Sequence, residues 1–138
     1  MQITQVPGKL TISWLGDVKA VWDQWHDYAL TLAEFQEAVM KKGLSHAKQN
    51  GAIAWIADAS QAKNLMSQEV QDYIANTVFK TFVSIGVKYF ISITPKSAIT
   101  KLGVMKYQAQ VGPAGIKLVE VGTLIEAKNF LAKQAKKP

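Results

Sequence analysis

Ile53-Ala54-Trp55-Ile56-Ala57 is a continuous apolar run closed by Asp58, Ala59 and Ser60. Uninterrupted apolar residues suit a strand covered on both faces, the kind found inside a parallel sheet. Two further runs repeat the arrangement: Tyr89-Phe90-Ile91-Ser92-Ile93 before Thr94-Pro95-Lys96-Ser97, and Leu118-Val119-Glu120-Val121 before Gly122-Thr123. Each run is followed by a helical pattern, so strand and helix alternate from residue 53 onward. Helical connections of ~10–20 residues between such strands imply right-handed parallel crossovers. The Ser- and Thr-bearing turns then gather at the carboxyl edge of the sheet, where open α/β sheets usually carry their sites.

Upstream of that run, Leu10, Ile12 and Trp14 alternate with Thr11 and Ser13, the two-residue period of a half-buried strand. Gly16-Asp17 supplies a tight turn into a second, aromatic-rich strand over 18–28, and so short a connection makes the pair an antiparallel hairpin. Thr31-Leu32-Ala33-Glu34 has capping-box spacing and opens a helix over 31–50 bearing Leu32, Phe35, Val39 and Ala47, with Gly51 as its stop. Gly43 falls on the inner face, where a missing side chain lets helix and sheet approach closely. Ser67 opens a second helix over 67–85, carrying Val70, Ile74, Val78 and Phe82. Ser97 opens a third that fades near Gln110, and Thr123-Leu124-Ile125-Glu126 repeats the capping-box spacing for a fourth. The expected architecture is one α/β domain over 1–138. It has a mixed five-stranded sheet (10–15, 18–28, 53–58, 87–93 and 116–121), an antiparallel N-terminal hairpin joined to three parallel strands, with about four helices packed on it.

Composition narrows the function classes. An apolar fraction of 49% and a charged fraction of 19% are those of a globular protein, and 138 residues suffice for a core without staples. Cysteine is absent, which removes disulfide frameworks, thiol catalysis and thiolate metal sites. Neither a basic leader nor an apolar leader segment is visible, and no apolar run reaches the ~20 residues of a membrane span. A cytoplasmic location is the expectation. The net charge of +6 comes entirely from lysines scattered between Lys9 and Lys137, with no arginine to read phosphates or guanines. No nucleic-acid partner is expected from that distribution.

Among individual residues, Ser67 reads first as a helix cap and second as a regulatory or anion site. Asp58, at a strand end, suits an acceptor for the loop it precedes, with Ser60 beside it. Lys96 next to Ser97 reads first as a surface lysine, since nothing glycine-rich accompanies it, and second as support for an anion at a helix start; Thr123 completes the candidate interaction or anion edge of Asp58, Ser60, Ser67, Lys96, Ser97 and Thr123. His26-Asp27 are neighbours on a strand reading and so point to opposite faces, and His46 has no companion ligands. No Gly-x-Ser-x-Gly elbow, His-Glu-x-x-His or phosphate loop occurs, so no enzyme, cofactor or metal is expected. Trp14, Trp22, Trp25 and Tyr28 crowd one hairpin; they supply core packing and are the candidate walls of an apolar pocket.

This order resembles the anti-sigma-factor-antagonist fold, the STAS domains, and in particular small bacterial STAS-like or CRAL-TRIO-like (lipid-transfer-like) proteins. The resemblance spans about residues 9–133. It rests on Ala54-Trp55-Ile56-Ala57-Asp58 with Ser60, on Ser67-Gln68-Glu69-Val70-Gln71, and on Gly86-Val87-Lys88-Tyr89 running into Ile93-Thr94-Pro95. Glu120-Val121 and Glu126-Ala127-Lys128-Asn129-Phe130-Leu131 match the family's closing strand and amphipathic helix. In true antagonists a phosphorylatable serine lies in an Asp-Ser-Ser-Gly-type sequence. Ser67 takes its place here, with Met66, Gln68 and Glu69 where the family has aspartate, serine and glycine. The resemblance implies a non-enzymatic regulatory or protein-interaction module working through the carboxyl edge, its partner another protein or a second copy of the chain. Its lipid-transfer side implies the alternative, a carrier of a small hydrophobic or lipid-like ligand.

Overall fold

The computed structural model describes residues 1–96 and 98–135. Six strands form one sheet in sequential order: β1 (Gln2–Val6), β2 (Leu10–Leu15), β3 (Ala20–Trp25), β4 (Ala54–Asp58), β5 (Tyr89–Ile93) and β6 (Lys117–Val121). β2 is antiparallel to both its neighbours, β1 and β3, and the last four strands run parallel, so β3 belongs to both halves. Among the described residues four helices connect and flank them: α1 over 32–50, α2 over 68–84, α3 (Ala98–Gln108) and α4 (Leu124–Ala135). The mixed α/β sheet and the hairpin of β2 and β3 agree with the sequence. The count of five strands does not.

The extra strand is β1. Lys9 N–H donates to the Val6 carbonyl at 2.9 Å, and Gly8 takes φ +73° after Pro7. Pro followed by a left-handed Gly at the middle of a four-residue turn is the type II pattern. β1 thereby folds back on β2, and its Ile3 and Val6 pack against the core. The second hairpin strand is also shorter than 18–28. It begins at Ala20 after a turn in which Lys19 takes φ +52°, and it ends at Trp25. Asp27 beyond it makes only an isolated bridge to Lys63, and the chain then tucks Tyr28 into the core.

α1 and α2 cover one face of the sheet and α4 the other. Phe35, Val39, Leu44, Val70, Ile74, Phe79 and Phe82 share a buried cluster with Ile12, Val21, Trp25, Trp55 and Phe90. Ala127 and Leu131 of α4 pack on Ala20, Ala54, Ile56, Ile91 and Ile93 from the opposite side. Thr31 forms the capping box: its hydroxyl accepts from Glu34 N–H, and the Glu34 carboxylate accepts from Thr31 N–H at 2.8 Å.

Both covering helices widen to π geometry in mid-course, α1 over Gln36–Gly43 and α2 over Ile74–Val78. The sequence supplies a reason. Buried positions recur every four residues, at Phe35, Val39, Gly43 and Ala47 and again at Val70, Ile74, Val78 and Phe82. At 3.6 residues per turn each four-residue step drifts by about 40° around the helix. A stretch with about 4.4 residues per turn drifts the other way. Alternating the two keeps all eight positions over the sheet.

Candidate functional site

The carboxyl ends of the parallel strands line up as the register requires, with Asp58 opposite Ile93 and Ile93 opposite Val121. Asp58, Ser60, Ser67 and Thr123 of this edge are committed to local structure. Asp58 Oδ1 accepts from Ser60 N–H at 3.0 Å and from the Ser60 hydroxyl at 2.7 Å, while Oδ2 accepts from Trp22 Nε1–H at 3.1 Å. Ser67 caps α2, its hydroxyl accepting from Val70 N–H at 3.2 Å. Thr123 caps α4 by accepting from Glu126 N–H, also at 3.2 Å. The Glu126 carboxylate meets the Thr123 hydroxyl and Gly122 N–H rather than the Thr123 amide that a full capping box would use. Lys96 is exposed, and Ser97 lies outside the described residues.

His26, Asp58 and Ser60 line one small cleft at this edge. They are not wired as a catalytic set. The Ser60 hydroxyl points its hydrogen at Asp58, and the His26 ring lies 3.3 Å from Thr11 Oγ1. Asp27, past the end of β3, accepts from Ala29 N–H and Asn64 Nδ2, and the Asn64 bond holds its carboxyl below the usual range. Among the described residues no group of three His, Asp or Glu is placed to share a metal ion. No helix of the described residues is long and apolar enough to cross a membrane.

A different part of α3 is open. Leu102 and Met105 are exposed, Leu65 stands beside Gly103, and Met105 borders a cleft of about 200 Å³ shared with Thr94, Lys101 and Glu120.

The hairpin aromatics do not share one wall. Trp22 lies on the α4 face with its indole N–H on Asp58. Trp14 is half-buried against His46 of α1 at 5.3 Å between ring centroids. Of the four, Trp25 and Tyr28 meet in a tilted contact, 4.7 Å between ring centroids, and belong to the core beneath α1 and α2. Strand alternation is the cause, because Trp22 and Trp25 are three residues apart and so face opposite sides.

The unusual chemistry lies in that core, at a residue the sequence reading passed over. Asp23 is 4% exposed in the middle of β3, on the same face as Val21 and Trp25. Its Oδ2 accepts from Trp55 Nε1–H at 2.7 Å, whereas its Oδ1 is buried with no hydrogen-bond partner. Burial pushes the carboxyl up to about 7, against the downward pull of the Trp55 bond. An unpaired buried oxygen costs about twice what a typical hydrogen bond contributes, so native cores rarely keep one. Asp23 borders a void lined by Trp25, Phe35, Val39, Trp55, Ala57, Met66, Ile74, Val78, Phe79, Phe82 and Phe90. The cavity among these atoms has a volume of about 20 Å³.

Three features converge on this void. Its lining is apolar except for Asp23 and the Trp55 N–H already bonded to it. Val39, Ile74 and Val78 on its roof come from the π-helical segments, which occur disproportionately at functional sites. The Trp55 ring that holds Asp23 is itself held, stacked on Phe82 at 4.4 Å and lying under Gly43, where a Cβ would come within 3.2 Å of it. Alternation Val21-Asp23-Trp25 is the sequence signal for an inward aspartate. Comparison with protein-family models, with curated proteins and with solved structures finds no match.

Proposed function

We propose that this protein binds a small molecule in the aromatic void beneath α1 and α2, as a non-enzymatic binding domain. The observation that carries the reading is the unpaired Asp23 Oδ1 at the wall of an otherwise apolar space. Apolar pockets with one or two convergent polar groups and a perturbed pKa are the usual form of a ligand site. An ordered buried water needs 2–4 polar partners, and the side chains of this wall offer a single free acceptor. The void takes a group of about two or three heavy atoms, so the ligand, or the part of it that enters, is compact rather than lipid-sized.

The test is a set of two- to four-atom organic molecules titrated against labelled protein, with the Trp55 indole N–H resonance as reporter. At least one member should shift that resonance saturably, and Ala57→Val, which fills the void from β4, should abolish the response in a folded protein. The reading fails if no member shifts it, or if Ala57→Val responds like the wild type.

A second reading is the STAS-like interaction module at the carboxyl edge. It is supported by the exposed Met105 and Lys101 on the cleft beside α3 and by the exposed Leu102 and Leu65 on and beside that helix, with Lys96 and Lys106 close by in sequence. The cleft is concave, which suits a side chain of an acidic, amphipathic protein partner better than a flat lipid surface. Because Ser67 is engaged as a cap, binding there is constitutive in this reading. A photo-crosslinker at position 102 should capture one protein in cells, and Met105→Glu should remove that product while leaving unfolding unchanged. Retention of the product in Met105→Glu would remove the support for this surface.

A further inference from the structure

We infer that the void beneath α1 and α2 selects a small primary amine, held as its ammonium ion with the head on Asp23 Oδ1 and the carbon part among the rings of Trp25, Phe35, Trp55, Phe79 and Phe82. This rests on the binding reading above and adds the chemical class of the ligand. Asp23 is more than nine-tenths buried, and one oxygen is spent on Trp55 while the other is unpaired. No second ionisable side chain lines the void from β3, β4, β5, α1 or α2; Tyr28 and Tyr73 stand behind Trp25 and Phe35 rather than on its wall. A lone carboxylate in an apolar enclosure lacks a counter-charge, and a ligand that brings one is attracted more strongly than in water, against the cost of shedding its own hydration. A neutral ligand gains only a hydrogen bond. The remaining wall is aromatic, and ring faces attract ammonium groups and accept their spare N–H donors. An anionic ligand meets repulsion from Asp23 and no cation to offset it.

Protons balance simply. Where Asp23 is protonated, an arriving ammonium displaces its proton to solvent and leaves carboxylate facing ammonium; where it is already ionised, no proton moves. Primary alkylamines stay cationic up to about pH 10, like lysine, so Asp23 alone sets the pH dependence between 6 and 8. With its carboxyl raised to about 7, affinity should be about tenfold weaker at pH 6 than at pH 8.

Ethylammonium and ethanol, equal in size and differing in charge, separate the possibilities. Each is titrated into wild-type protein at pH 6 and pH 8, with the Trp55 indole resonance as readout, and into Asp23→Asn at pH 8. Ethylammonium should bind at least tenfold more tightly than ethanol at pH 8, lose about tenfold at pH 6, and lose its advantage in Asp23→Asn. Equal binding of the two molecules would overturn the amine while leaving the cavity reading intact. No response to either would count against both. If Asp23→Asn does not fold, the pH pair on wild-type protein decides alone, and a pH-independent ethylammonium affinity overturns the proposal.

Discussion

Replacing Asp23 with asparagine should change how stability depends on pH, and the sign follows from burial. The folded-state carboxyl sits at about 7 against its ordinary value of 3.8, because its charged form is desolvated and only the Trp55 N–H opposes that. Between those values the folded protein holds a proton that the unfolded chain has released, so stability falls as pH rises and levels off above the folded value. Integrated from pH 5 to pH 8, the loss is about 2.5 kcal/mol, a sizeable share of the ~5–15 kcal/mol that stabilises a domain. Asparagine keeps an oxygen for Trp55 and does not ionise, so its curve should lack this slope. Asp17 and Asp27 titrate below their ordinary values, held by Lys128 and Asn64 respectively, and so act below about pH 4 with the opposite sign. Urea unfolding of both proteins at pH 5, 6, 7 and 8 measures the effect, and the difference between them cancels whatever else titrates. Parallel curves would refute the reasoning, since they would mean that Asp23 is ionised in the fold at little cost.

Other consequences are equally direct. Trp55→Ala removes a ring 1% exposed and strips Asp23 of its remaining bond, and should cost about 3–5 kcal/mol in urea; a loss under roughly 1 kcal/mol would contradict the packing described. Ser67→Ala should cost about 1 kcal/mol while Ser67→Asp keeps most of it, because aspartate caps equally well and suits the positive helix end. Gly43→Ala, although helical, sets a methyl 3.2 Å from the Trp55 ring and should shift its indole resonance; an unmoved resonance would show that helix and ring are not in tight contact. Leu102→Glu on the exposed face of α3 should leave stability within about 0.5 kcal/mol of wild type by thermal denaturation.

Much of the fold is legible in the sequence because its signals are local. The apolar runs ending at Asp58, Ile93 and Val121 fall on three parallel strands, and Thr31, Ser67 and Thr123 each cap the helix they precede. β1 escaped because its side chains alternate weakly and none is fully buried, although Pro7-Gly8 marks the turn that returns it to the sheet. The π segments are implicit in the four-residue spacing of Val70, Ile74, Val78 and Phe82, which a reading in steps of three and four passes over. Asp23 is harder to read. Alternation places it inward, but only the assembled packing shows that its second oxygen meets no donor, because the void is made by α1, α2, β4 and β5 together. The hairpin aromatics look like a group in sequence and are split by the pleat. The polar edge looks like a site, yet its oxygens are taken up by turns and caps.

The most direct measurement is the carbon-13 titration of the Asp23 carboxyl in the wild-type protein, alone and with saturating ethylammonium. The free protein should show a midpoint near 7, and ethylammonium should move it down by at least about one pH unit as the carboxylate gains its counter-ion. A midpoint in the ordinary aspartate range, unmoved by the amine, would contradict both the buried acid and the site built around it.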